Sequence, residues 1–161
     1  MANEIIYPGT FDPITNGHID LIERAGRIFT KVIVAVSVVS SKSPIFSAEE
    51  REKIAKEVLK NYKNVEVCRF SGLLINFSES KNVYIILRGL RAVTDFEYEL
   101  QLANINRTLN SKVETVFLAP SEKYTYISSS VVREIASNRG KVSSLVPNAV
   151  EEALRVKFGY N

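Results

Sequence analysis

This 161-residue chain lacks most of the features that assign a protein at sight. It has a single cysteine, Cys68, so no disulfide can close within it and an oxidising compartment is not implied. Cys68 sits in the alternating stretch Val65–Phe70 and reads as a small core residue rather than a nucleophile. The start, Met-Ala-Asn-Glu, has no basic region followed by a long apolar one, which predicts no signal peptide. The longest apolar runs, such as Val32–Val36, are far too short to cross a bilayer. The expectation is a soluble, cytoplasmic protein with no membrane partner. Neither sign of charge dominates: 21 Lys and Arg stand against 18 Asp and Glu, for a net charge of +3. The basic residues are scattered among acids, not gathered in a stripe, so no nucleic acid is expected as partner. The dinucleotide fingerprint G-x-G-x-x-G is missing, and so is the Gly-Lys-Ser/Thr of a P-loop. Internal repeats, low-complexity segments and linkers are absent too. With 45% hydrophobic residues, one domain over 1–161 can bury a full core.

Short β-branched runs alternate with helical patterns along the chain. Strands are predicted at Glu4–Tyr7, Lys31–Val38, Val65–Phe70, Val83–Leu87 and Glu114–Leu118. Several are almost continuously apolar, as strands buried on both faces of a parallel sheet must be. Ile19, Ile22, Ala25 or Gly26, and Phe29 repeat at helical spacing after the first strand. Ser47-Ala-Glu-Glu50 is a capping box that opens a helix through Tyr62. Further helices are predicted at Gly72–Ser80, from a cap at Thr94-Asp-Phe-Glu97, at Ser128–Asn138 with Gly140 beyond its end, and at Asn148–Phe158. Right-handed crossovers convert this alternation into an α/β fold: a doubly wound five-stranded parallel sheet with helices on both faces. In such folds ligands bind beyond the carboxyl ends of the strands, where strand order reverses.

Those ends carry the chemistry. The first strand feeds Tyr7-Pro-Gly-Thr-Phe-Asp-Pro13 and then Ile-Thr-Asn-Gly-His18, a turn entering a helix N-terminus that suits a phosphate. Gly17 allows close approach of a ligand. His18 is the only histidine. A lone histidine in a first turn is ordinarily a surface residue, but Thr15-Asn-Gly-His18 is the T/H-x-G-H signature of a large nucleotidyltransferase superfamily. Lys42 follows the second strand in a turn, where a solvated lysine is the plain alternative. The third strand leads to Gly72-Leu73-Leu74, mostly core, with Leu73 and Leu74 able to line an apolar arm. Arg88-Gly-Leu-Arg91 ends the fourth, and guanidinium forks match phosphate oxygens. After the fifth comes Ile127-Ser-Ser-Ser-Val-Val-Arg133, ordinary N-cap chemistry that also offers hydroxyls and N–H groups to a phosphate chain. It is the second signature of the same superfamily.

Three stretches, Tyr7–His18, Ile86–Glu99 and Tyr126–Ser130, together resemble the bacterial phosphopantetheine adenylyltransferases over nearly the whole chain. The resemblance implies a Rossmann-like nucleotidyltransferase fold. It implies transfer of the adenylyl group of ATP to 4′-phosphopantetheine, giving dephospho-CoA and pyrophosphate. It implies ATP binding by Thr10, Phe11, His18, Gly89, Leu90, Arg91, Glu99 and the run Tyr124, Thr125, Tyr126, Ile127, Ser128, Ser129 and Ser130. Phosphopantetheine is expected on Thr10, Lys42, Leu74 and Arg88, with Leu102, Asn106 and Glu134 along the pantetheine arm. His18, Lys42 and Arg91 are expected to act in catalysis by neutralising charge on the transferring phosphate. Gly72 stands where some members carry aspartate, and Tyr124 where some carry tryptophan.

Mg²⁺ is expected to arrive on the nucleotide phosphates, since the sequence holds no cluster of acidic ligands. No nucleophile–base pair is evident, and none is needed when a phosphate is the attacking group. The resemblance also implies a homohexamer, a dimer of trimers. Feedback binding of coenzyme A, which is the product plus one phosphate, is a further expectation. The alternative is another small-molecule adenylyl- or cytidylyltransferase of the same superfamily.

Overall fold

The computed structural model of the protein describes residues 3–39, 43–91 and 93–160. Five strands form one sheet: β1 (Glu4–Gly9), β2 (Lys31–Ser37), β3 (Val65–Phe70), β4 (Ile85–Gly89) and β5 (Glu114–Leu118). Their order is β3-β2-β1-β4-β5, and every pairing is parallel. The helices are α1 (Asn16–Ile28), α2 (Ala48–Leu59), α3 (Leu74–Lys81), α4 (Val93–Leu109), α5 (Ser129–Ser137) and α6 (Asn148–Phe158). A single 3-10 turn at Glu122–Tyr124 precedes α5.

Alternation along the central strands divides the core. Ile5, Tyr7, Val32, Val34 and Val36 face Leu21, Ile22 and Ala25 of α1, Ala55 and Leu59 of α2, and the buried residues of α5 and α6. Ile6, Ile33 and Ala35 face the opposite way, onto Leu74 and Phe77 of α3. Phe96 of α4 meets Phe117 of β5 edge-on, at 5.9 Å between ring centroids. The sheet is thus covered on both faces, which explains the continuous apolar reading of β2.

Strand order reverses between β1 and β4. β1 pairs with β2 at six register positions but with β4 only at Ile6↔Ile86. Beyond that pair the two strands part, and the sheet opens a crevice at its carboxyl edge. Pro8, which has no N–H to give, is accommodated in this part of β1.

Several predicted bounds shift. β4 begins at Ile85 rather than Val83. Val83 is buried in the connection, its N–H bonded to the Ser78 carbonyl, so its apolar character reflects packing and not pairing. α2 ends at Leu59, three residues before Tyr62, in a turn closed by the Tyr62 N–H on the Leu59 carbonyl. α3 starts at Leu74, because Gly72 takes φ +79° and Leu73 is extended. α4 begins at Val93, so Thr94 lies inside its first turn. The capping box at Ser47–Glu50 is present as predicted, and α6 keeps its predicted bounds.

Candidate active site

The crevice is a cleft of about 480 Å³ above the carboxyl ends of the strands. Its floor is the turn after β1. Thr15 and His18 define that turn through a reciprocal cap: the Thr15 hydroxyl accepts from the His18 N–H at 3.4 Å, and His18 Nδ1 accepts from the Thr15 N–H at 3.0 Å. The T-x-G-H spacing is therefore the spacing of a capping box, with histidine in the place usually held by glutamate. Because Nδ1 is an acceptor, the ring proton sits on Nε2. Burial, reinforced by the charge of Arg91, lowers the imidazole pKa from 6.5 to about 4. In the free protein His18 is thus a neutral N–H donor at neutral pH. The ring therefore presents to the cleft an oriented N–H dipole without a net charge.

Phe11, at the turn itself, takes φ +49° and packs edge-on against His18 at 5.1 Å. The loop around it is held from below by Arg51 of α2, which is only 1% exposed. Its guanidinium donates to the carbonyls of Thr10 (2.7 Å), Ser37 (2.8 Å) and Phe46 (3.1 Å). Asp12, also buried, accepts from the N–H groups of Ile45 and Phe46 and pairs with Arg133 at 3.5 Å. Arg51 and Asp12 thereby lock the turn after β1 to both flanks of the segment that follows β2. Lys42 belongs to that segment and lies outside the described residues.

Arg88 and Arg91 bracket Gly89 at the end of β4. Arg88 is clamped by Glu99 of α4 through two hydrogen bonds, from Nε and from Nη2 (2.9 Å for the latter). Glu99, expected among the ATP-binding residues, therefore first serves to orient Arg88. Arg91 is more exposed, with Asp95 at 3.4 Å and the Ile127 carbonyl at 3.4 Å. At Gly89 an added Cβ would stand 2.5 Å from Leu21 Cδ1, so that leucine would have to shift to admit any other residue. At Gly17 an added Cβ would meet no protein atom closer than 3.6 Å, so the chain itself does not demand glycine at that position.

The third wall is the start of α5. Ser128 caps the helix by accepting from the Val131 N–H at 3.2 Å, Ser129 donates to the Pro13 carbonyl at 2.8 Å, and Ser130 accepts from Arg133 at 3.2 Å. The serine hydroxyls thus build the wall, leaving the Ser129 and Ser130 N–H groups and the helix dipole to face an anion.

Thr10, Phe11, His18, Leu74, Arg88, Gly89, Arg91, Glu99, Tyr124, Ile127 and Ser128–Ser130 all line this one cleft. Leu90, Thr125 and Tyr126 stand outside its lining, Tyr126 with 68% exposure. So do Leu102 and Asn106, half-buried on α4, and Glu134, exposed on α5. Sequence reading passed over Asp12, Tyr7 and Arg51. Asp12 and Tyr7 lie within the quoted motifs, but nothing in their spacing reveals burial, and Arg51 hides among the charges of an ordinary-looking helix.

Among the described residues no three acidic, histidine or cysteine side chains gather to hold a metal. Thr15, the hydroxyl beside the His18 ring, is 1% exposed and spent as a cap, so the pair is not a nucleophile and its base. What remains is a site that can place two anionic ligands against each other and stabilise charge between them. That is the working principle of a nucleotidyltransferase.

The family model described as cytidylyltransferase-like matches residues 6–135. A protein named phosphopantetheine adenylyltransferase, from Nitrosomonas eutropha, is 59% identical over 155 residues, covering 96% of this chain and 94% of that relative. The chain belongs to the cytidylyltransferase-like nucleotidyltransferases and, within them, to the phosphopantetheine adenylyltransferases. Among the described residues no helix is long and apolar enough to cross a membrane.

Proposed function

We propose that this protein transfers the adenylyl group of ATP to 4′-phosphopantetheine, releasing pyrophosphate and giving dephospho-CoA. The observation that carries the reading is the 59% identity along 96% of the chain, joined to a cleft in which the signature residues converge. The phosphate of the acceptor attacks the α-phosphorus of ATP, its P–O bond forms as the bond to pyrophosphate breaks, and no covalent enzyme intermediate is needed. His18 Nε2–H donates to the oxygens that gain charge, and Arg91 neutralises the departing pyrophosphate. Arg88, held by Glu99, and Lys42 grip the attacking phosphate. The start of α5 and the turn at Thr10–Phe11 cradle the nucleotide phosphates.

Mg²⁺ belongs to the same proposal. The two carboxylates lining the cleft are occupied, Asp12 by backbone N–H groups and Glu99 by Arg88. A divalent ion is thus offered phosphate oxygens and water instead of a protein cage, which suits magnesium. When bound, it would neutralise phosphate charge.

Assembly into a homohexamer has support in α4, where Tyr98, Ile105 and Leu109 are 61%, 46% and 57% exposed. Large apolar side chains left in water on one helix favour a protein partner. Light scattering should give about six times the 18.1 kDa chain mass; a monomer would remove the claim. Coenzyme A, sharing most of the product's atoms, is proposed to compete for the same cleft in the cytoplasm.

The deciding experiment is pyrophosphate release from ATP and Mg²⁺ with phosphopantetheine, nicotinamide mononucleotide or an alcohol phosphate as acceptor. Release with phosphopantetheine alone is expected. Release only with another acceptor would move the protein to the alternative within the superfamily, and competition by coenzyme A is read in the same assay.

A further inference from the structure

Tyr7 is the one large polar side chain of the cleft to which no role has been given. It lies on β1 just before the crevice opens, is 6% exposed, and forms part of the lining. Its ring is fixed edge-on by Phe11, at 5.3 Å between centroids and 86° between planes, and lies 6.3 Å from the His18 ring. Its hydroxyl reaches across the crevice towards β4, ending 3.8 Å from where a Cβ on Gly89 would stand. Arg88 and Arg91 flank that glycine, and both act on the phenol, while burial raises its pKa well above neutrality. The hydroxyl therefore keeps its proton.

Among the described residues Tyr7 makes no side-chain hydrogen bond, and none of their buried side-chain polar atoms is left unpaired, so its hydroxyl opens onto the cleft. A phenol that serves only packing could be phenylalanine at no loss, whereas a hydroxyl presented to a cleft can donate to whatever binds there. The charged groups that act on it are Arg88, Arg91 and Glu99; guanidinium groups cannot accept a hydrogen bond, and the Glu99 carboxylate is already taken by Arg88. The acceptor it fits is an anionic oxygen drawn in by the same two arginines.

We propose that Tyr7 is a further substrate-binding residue, its Oη–H donating to a phosphate oxygen held between Arg88 and Arg91. The inference rests on the adenylyl-transfer reading of the cleft. Unlike the arginines, the phenol adds a donor without adding charge, so it fixes the position of the phosphate rather than its affinity for any anion.

The test is Tyr7→Phe, which keeps the ring against Phe11 and removes one oxygen. A hydrogen bond to a charged group corresponds to roughly a 10- to 100-fold effect. The variant is expected to lose about that factor in kcat/KM for phosphopantetheine, with a melting temperature at or above that of the parent. A change under about threefold would overturn the proposal. So would a lower melting temperature whose correction restores the rate, since that is the mark of a packing residue. Wild-type protein run alongside separates the two readings: no turnover there would remove the adenylyl-transfer assignment itself, whereas normal wild-type turnover with an unaffected variant would remove only the role of Tyr7.

Discussion

Replacing His18 by alanine separates the two jobs this side chain does. As a cap, its Nδ1 accepts from the Thr15 N–H at 3.0 Å, and the Thr15 side chain accepts from the His18 N–H in return. Alanine deletes only the first of these bonds. Loss of a capping interaction costs about 1 kcal/mol, which in a chain of this size lowers the melting temperature by roughly 2–4 °C. As a donor to the transferring phosphate, Nε2–H acts where charge develops, and deletion of one preorganised donor costs on the order of 10²–10³ in rate. The expected variant is folded, slightly less stable, and nearly inactive, with kcat reduced far more than ATP affinity. Steady-state kinetics at saturating substrates, calorimetric titration with ATP and a thermal melt measure all three quantities. A folded variant that keeps more than about a third of wild-type turnover refutes the catalytic reasoning, because a cap alone predicts just that.

Three further outcomes are expected. Lys42→Ala and Arg88→Ala should each weaken phosphopantetheine about 10- to 100-fold while leaving ATP less affected; calorimetry giving equal losses for both ligands would mean that the halves of the cleft are assigned the wrong way round. Arg51→Met should leave the Thr10, Ser37 and Phe46 carbonyls without their donor, costing at least about 3 kcal/mol and showing as a fall of roughly 6 °C or more in a thermal melt. Stability should also depend on pH through His18. Its pKa is lowered to about 4 in the folded chain from 6.5, so between those values the unfolded chain takes up a proton that the folded chain refuses. The contribution is complete above pH 6.5 and is lost as pH falls towards 4. Melting temperatures measured from pH 7 to 4.5 should therefore fall more steeply in wild type than in His18→Gln.

The fold was legible because burial on both faces leaves a plain imprint. Val32–Val36 could hardly be anything but a central strand, and Ser47-Ala-Glu-Glu50 announces its helix through side chains that bond only there. Val83 misled because the core also takes apolar residues from turns. The shortening of α3 came from Gly72, whose positive φ leaves no trace in apolar spacing. In the site, residues at strand ends were found by position alone, which is why Arg88 and Arg91 were legible. Their partners were not. That Glu99 clamps Arg88 from α4, eleven residues on, depends on how the helix is laid against the sheet. Arg51 was invisible for a related reason: no local pattern distinguishes an arginine reaching inward to three carbonyls from one reaching out to solvent.

The cap at the head of α1 sets local stability against activity. By the general rules of helix capping the third helical position asks for glutamate or glutamine, and a designer improving this helix would write glutamate at position 18. Such a chain should melt no lower than the parent. It would also add a third carboxylate to a cleft meant for two phosphorylated ligands, where the native imidazole brings no charge. Optimisation for heat resistance alone would thus push this position towards a firmer and idle protein. The native residue is the compromise: histidine receives the Thr15 N–H on Nδ1, where glutamate could, and presents on Nε2 an oriented donor that glutamate lacks.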